Sequence, residues 1–232
     1  MLHINDADQP AMPADENKKQ KQNELEPLPW EVGKGFLWGL PSTIIFIILH
    51  PVRFFQTKPH SAWHKALFFA LVLWLAYFLA TAAYEYFSYS IKTDVPVTNL
   101  MQRYYPLALL VLMKLPLLGV IKTLAGAVSC WASLVVLGIK DVSFVSILRW
   151  ILYLDGVRCI LSPLPILFYY VWLFTMAMLM FLEAYKLNGY KALVATGISA
   201  VLFFACSVVL FYMVSGVDGV RYFFLMFGII SS

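Results

Sequence analysis

Charge is what this chain has least of. Asp, Glu, Lys and Arg together make up 13% of 232 residues, and residues 192–217 run for twenty-six positions without one. No soluble domain needs an apolar run of that length. Acidic residues are missing altogether from residues 32–84. His50, His60 and His64 therefore have no nearby carboxylate to share a metal, and they read as interfacial histidines. The three cysteines, Cys130, Cys159 and Cys206, all fall in apolar runs with no C-x-x-C spacing. They read as small packing residues, with neither a disulfide framework nor a metal cluster implied. There is no glycine-rich phosphate loop, no G-x-S-x-G, no H-E-x-x-H and no carboxylate pair at helical spacing within an apolar run. The expectation is a chain without catalytic residues, cofactor or metal, and so not an enzyme. No basic stripe is present to hold nucleic acid.

What fills the space is apolar: 61% hydrophobic residues, 16% of the chain aromatic. Residues 66–84 and 159–182 repeat the uncharged pattern of 192–217. About 20 apolar residues at 1.5 Å rise cross the hydrocarbon core of a bilayer. In lipid the backbone must satisfy itself as helices or as a closed barrel. Barrel strands alternate apolar and polar residues, whereas these runs are apolar on all sides. The fold class expected is therefore all-α, a polytopic integral membrane protein with five transmembrane helices plus an N-terminal interfacial helix.

The segments order themselves by composition. Residues 1–29 form a polar tail rich in Asp, Glu, Lys, Gln and Pro, expected to be disordered and cytoplasmic. The stretch up to Glu31 carries seven acidic residues and no apolar core, so it is not read as a cleaved signal peptide. Residues 30–64 form an interfacial amphipathic segment. Its apolar run at 36–50 is too short to span, and Trp38, His50, Arg53, Phe54 and Phe55 are its candidate lipid contacts. Residues 65–216 form the five-span domain, with spans near 65–89, 117–139, 145–164, 166–185 and 192–216. Arg103, Tyr104, Tyr105 and Pro106 mark an interface in the first connection. Residues 217–232 form a short tail on the far side. Eleven Lys or Arg, Lys140 and Arg149 among them, fall on the N-terminal side of the membrane and four on the other, which predicts a cytoplasmic N-terminus.

Ionisable residues within spans are the first candidates for function. Asp155 and Arg158 stand three apart in the third span, on one helix face. Two readings stay open: a polar site for an ion or lipid headgroup, or a mutually neutralised pair that fixes helix register, the second being favoured. Glu85 and Lys122 lie near span ends and read as snorkelling side chains. Ala125, Ser129 and Ser133 recur every fourth residue and offer a smooth face to another helix.

Several local patterns resemble the membrane domain of the Yip family, named for proteins that interact with Ypt/Rab GTPases. The aromatic third helix runs through Tyr153 to Ser162-Pro163, and Trp172 lies in the next. The turn Leu182-Glu183-Ala184-Tyr185-Lys186-Leu187-Asn188-Gly189-Tyr190-Lys191-Ala192-Leu193 resembles the family's L-K-E-A-x-G-L-x-x-x-K-A-L. Upstream, Pro51-Val52-Arg53-Phe54-Phe55 resembles its P-x-x-F-F. The D-L-x-G-P element of the eukaryotic members is not evident, so the chain looks more like the compact prokaryotic branch, and Rab binding is not carried over. The resemblance implies a multi-pass scaffold or adaptor that organises partner proteins or lipid. Its partners would be membrane lipid and another membrane or cytoplasmic protein. Glu183, Lys186 and Lys191 would form the cytoplasmic contact turn. The alternative is a transporter or lipid-handling subunit built on Asp155 and Arg158. The location implied is the inner membrane, or the Golgi or endoplasmic reticulum in a eukaryote.

Overall fold

The computed structural model describes residues 28–32, 36–57, 63–93, 119–140, 142–162 and 165–226. The tail at 1–27, most of the first connection (with Arg103, Tyr104, Tyr105 and Pro106) and residues 227–232 lie outside them, as do His3 and His60. Every regular element among the described residues is a helix. They are α1 (Phe36–Leu49), α2 (Pro51–Gln56), α3 (Trp63–Thr93), α4 (Gly119–Val136), α5 (Phe144–Leu161), α6 (Ile166–Ala184) and α7 (Gly189–Met226). Three of them, α3, α4 and α7, are long and apolar enough to cross a membrane. α6 is apolar over a shorter length.

The breaks between helices follow local chemistry. His50 leaves helical geometry ahead of Pro51, which then opens α2. α4 ends at Gly138, whose φ of 72° is the left-handed conformation glycine tolerates best. There Gly138 N–H donates to Val135 and Ile139 N–H to Leu134, the paired bonds that close a helix C-terminus. α5 starts at Ser143, whose Oγ accepts from Ser146 N–H at 3.3 Å.

α3 turns Ala66, Phe69, Ala70 and Leu73 inward, a stripe at helical spacing, and its main partner is α5. Gly156 of α5 makes that approach close. A Cβ there would stand 3.1 Å from Leu73 Cδ1 and 3.2 Å from Phe69. α7 buries Ala192, Ala195, Thr196 and Ser199, again one stripe of small residues. It packs on α6, and Ser199 Oγ reaches Cys130 Sγ of α4 at 3.1 Å. Ser129 and Ser133 are buried as the smooth-face reading expects. Each hydroxyl donates back to its own helix, to the carbonyls of Ala125 and Cys130. Cys130 and Cys159 are buried free thiols, and Cys206 is half-buried.

The outward faces stay apolar. Leu75 and Leu79 on α3, Val128 and Val135 on α4, and Val201 and Val209 on α7 are all exposed. A helix packed on a soluble core carries polar residues on that side. Bare aliphatic side chains on three long helices are what a hydrocarbon solvent tolerates.

Two expectations need correction here. Phe54 and Phe55, read as lipid contacts, are buried within the protein. Phe54 meets Tyr153 and Phe55 meets Trp150, both edge-to-face. The short helix α2 lies against α6, and its rings fill the gap beside α5. The amphipathic reading of 30–64 also fails over α1. Gly39, Thr43 and Ile47 face inward, while Trp38 (76% exposed), Ile45 and Leu49 face outward, so α1 is apolar on its outer face as well. His50 and Arg53 are exposed.

Candidate functional site

α5 is closely enclosed by the other described elements, although it carries Arg149, Asp155 and Arg158. Ten of its residues are buried, among them Arg149 and Asp155. Two polar clusters sit along it. Their leading residues, Arg149 and Asp155, are six positions apart, about 9 Å at 1.5 Å per residue.

The first cluster joins α5 to the segment that precedes α1. Residues 28–32 form a turn, with Glu31 N–H and Val32 N–H both donating to the Leu28 carbonyl. Trp30 wedges between α1 and α3. Its N–H donates to Thr43 Oγ1 (3.0 Å), its indole N–H to the Lys65 carbonyl (3.0 Å), and its ring packs on Phe68 and Phe69. Lys65 Nζ returns a bond to the Glu31 carbonyl at 2.8 Å. The turn thereby aims the Glu31 side chain at α5. Arg149 donates from Nε to Oε1 and from Nη2 to Oε2 of Glu31, both at 2.7 Å. Tyr153, one turn on, adds its hydroxyl to Oε1 at 3.1 Å, and the guanidinium carbon stands 5.7 Å from the Tyr153 ring centroid. Both charged side chains are 1% exposed. A fork-to-fork pair with a third donor is the arrangement in which a buried carboxylate is well satisfied. Arg149 Nη1 and the neighbouring Trp150 Nε1 are buried donors without a partner among the described residues.

The count of basic residues by side therefore changes. Arg149, assigned to an aqueous connection, lies inside α5 and is neutralised by Glu31, so it carries no weight in orientation. Ten against four remain.

The second cluster is the pair singled out from sequence. Arg158 Nε stands 3.0 Å from Asp155 Oδ1, while Thr123 of α4 donates to Asp155 Oδ2 at 2.7 Å. Asp155 thus ties α4 to α5 as well as bridging one turn of its own helix. This pair is less sealed than the first, with side chains 10% (Asp155) and 19% (Arg158) exposed. Lys122, next to Thr123, is half-buried and within electrostatic reach of Arg158, Asp155 and Cys159. Of Glu85, the other charged residue weighed with Lys122, only the backbone is described, within α3.

The turn after α6 is knit to the body. Gln56 of α2 donates to Glu183 Oε2 at 2.7 Å, and Lys186 Nζ reaches the same oxygen at 3.3 Å. Lys186 adopts a positive φ of 51°. Lys191 is exposed, its backbone N–H held by Asn188 Oδ1 at 2.9 Å, an N-terminal cap for α7. Glu183 is thus an internal bridge, and Lys186 and Lys191 are the side chains this turn presents outward.

Sequence reasoning brought Asp155 and Arg158 together and missed Glu31, Arg149, Tyr153 and Thr123. One signal was available. Glu31 is the last acidic residue before a long acid-free stretch, and Arg149 and Tyr153 share a helix face four apart. Among the described residues no three His, Cys, Asp or Glu gather as a metal site would need. Comparison with protein-family models, with curated proteins and with solved structures returns no match.

Proposed function

We propose that this chain is a five-span membrane protein of the Yip type, a non-enzymatic scaffold or adaptor that organises partner proteins or lipid. The spans would be α3 to α7, with the N-terminal tail and the Lys186–Lys191 turn on the same, cytoplasmic, side of the inner membrane. α5 and α6, at 18 and 19 residues, reach about 27 to 29 Å, enough for a hydrocarbon core of roughly 30 Å. One observation supports the scaffold reading above all. The buried carboxylates Glu31 and Asp155 are each closed on a cation and on a hydroxyl of a neighbouring element, so both are committed to holding the fold together. Such a frame presents its tail and turns without having to move.

Mass spectrometry of the complex extracted gently from its own membrane tests this. A stoichiometric protein partner is the expected result. A monodisperse chain with neither a protein partner nor an enriched lipid would refute it. Span number is tested by single cysteines at Lys140 and Pro165 in a cysteine-free background. Labelling from opposite faces is expected, and labelling from one face would leave only α3, α4 and α7 spanning.

A second reading, a lipid-handling or transport subunit, is favoured by the partial exposure of Asp155 and Arg158 and by Lys122 beside them. It requires Asp155→Asn to abolish activity in a protein that still inserts and accumulates normally.

A further inference from the structure

α1 carries two opposed stripes. Gly39, Thr43 and Ile47 face the protein, while Trp38, Ile45 and Leu49 face away from it, continued by Val52 of α2. Residues 36–49 hold no charge at all, so neither stripe is built for water. The outer stripe is of one kind with the bare aliphatic faces of α3, α4 and α7, which hydrocarbon covers.

The packing keeps α1 to one half of the bilayer, because both its flanks are tied at one level of α3. Ahead of it, Trp30 packs on Phe68 and Phe69, and its N–H donates to Thr43. A Cβ on Gly39 would stand 3.4 Å from Trp30 Cα. Behind α1, Phe54 meets Tyr153, which itself packs on Phe69 with ring centroids 4.9 Å apart. Phe69 lies six residues past Trp63, the first of α3, or about 9 Å along it. The step from Phe54 back to His50 adds at most about 6 Å. α1 therefore stays within about 15 Å of the end where α3 begins, half of a core of roughly 30 Å. Arg53, three residues beyond His50, is exposed and costs least at headgroup level, which holds that end of α1 shallow.

We propose that α1 is a wedge among the acyl chains of one leaflet, the one at the end where α3 begins. It gives the protein a preference for membrane that is convex on that side. The inference requires α3, α4 and α7 to cross the bilayer and does not depend on a protein partner, so it stands or falls apart from the scaffold reading.

Size makes the effect. The fourteen residues of α1 lying flat cover about 21 Å by 10 Å, roughly 210 Å². An upright helix of the same width takes about 80 Å², so even five of them take only about 400 Å². One leaflet is then displaced about one and a half times as much as the other. Helices buried in a single leaflet bind in a curvature-sensitive way. A basic face would tie such a helix to anionic headgroups, and α1 has none, so it answers to lipid packing and not to lipid charge.

The test follows the full chain in giant vesicles of phosphatidylcholine from which tethers are drawn outward. α4 runs opposite to α3, with Gly119 against Trp74, so Lys140 lies at the end where α3 begins. Lys140→Cys in a cysteine-free background, labelled from outside, therefore shows only copies with α1 in the outer leaflet. Their density in the tether relative to the flat membrane should exceed one and rise as the tether narrows. Adding phosphatidylglycerol should leave the ratio unchanged, and enrichment that appears only with it would overturn the packing assignment. The double variant Ile45→Lys, Leu49→Lys draws α1 toward the headgroups and should bring the ratio back toward one. A ratio at or below one at every radius, or a double variant that sorts as the parent does, would overturn the proposal. A nitroxide at Ile45 tests the placement without that variant, by its access to oxygen and to a nickel chelate. It should read deeper than one at Tyr190, at the start of α7, and shallower than one at Val201. Access like that at Tyr190, or spin–spin broadening from a second copy on the same stripe, would also overturn it.

Discussion

Replacing Glu31 by Gln is the most informative single perturbation of this protein. The substitution keeps the shape of the side chain and one acceptor oxygen, and it removes the charge that neutralises Arg149. Arg149 is 1% exposed, so its guanidinium cannot turn to water. Its Nη1 already lacks a partner among the described residues. Removing one member of such a pair costs about 3–5 kcal/mol, because the cost is that of an uncompensated buried charge. An exposed pair would cost about 0–1 kcal/mol. The two ranges do not overlap, and this makes the experiment decisive. Apparent stability should be read by thermal unfolding and by protease resistance in detergent, for Glu31→Gln, Arg149→Met and the double variant. The double variant should recover most of the loss, since it leaves no charge behind, and the two single effects should be strongly non-additive. Single losses below about 1 kcal/mol that simply add would refute the claim that this pair is sealed inside the fold.

Other consequences follow from the same geometry. Tyr153→Phe should cost about 1 kcal/mol, one hydrogen bond to Glu31, and should cost nothing further in a Glu31→Ala background, where no acceptor remains; thermal midpoints in both backgrounds check this. Gly156→Ala should be close to neutral, since gained helix propensity offsets a tight contact with flexible side-chain ends. Gly156→Leu should lose about 1–3 kcal/mol by forcing α3 from α5, read as a fall in the folded fraction on size exclusion. At Gly138 the space is open, so the cost of Ala is conformational alone, roughly 1–2 kcal/mol, and Asn should cost less. Glu183→Ala removes a partly exposed bridge between α2 and α6 and should cost below about 1 kcal/mol in thermal shift.

The long helices were legible because solvent writes them: a run of twenty-six uncharged residues answers to hydrocarbon and to little else. The Asp155–Arg158 pair was legible because i,i+3 spacing on a helix is a local rule. Glu31–Arg149 was not, since its partners are separated by 118 positions and no period connects them. Arg149 even misled, because a basic residue near the start of a span looks like a loop charge until its partner is known. Phe54 and Phe55 failed for a related reason. An aromatic pair beside an arginine suits a headgroup layer, and only the placement of α2 against α6 and α5 turns those rings inward. The Yip resemblance rests on patterns of this local kind and remains a proposal.

The separation between Glu31 and Arg149 also sets an order of events during synthesis. At about 5–20 residues per second, 118 residues take roughly 6 to 24 seconds to make. For that interval the Glu31 carboxylate has no partner and must stay in water, and the turn that carries Trp30 is held by α1 and α3 alone. Arg149, when it arrives, enters an apolar setting that becomes tolerable once Glu31 is delivered to it. In arrested chains, cleavage beside Trp30 should persist until α5 is complete and then cease. The first part of this bundle to be made is the last to close, and an unclosed N-terminal segment would mark every copy that stopped short of α5.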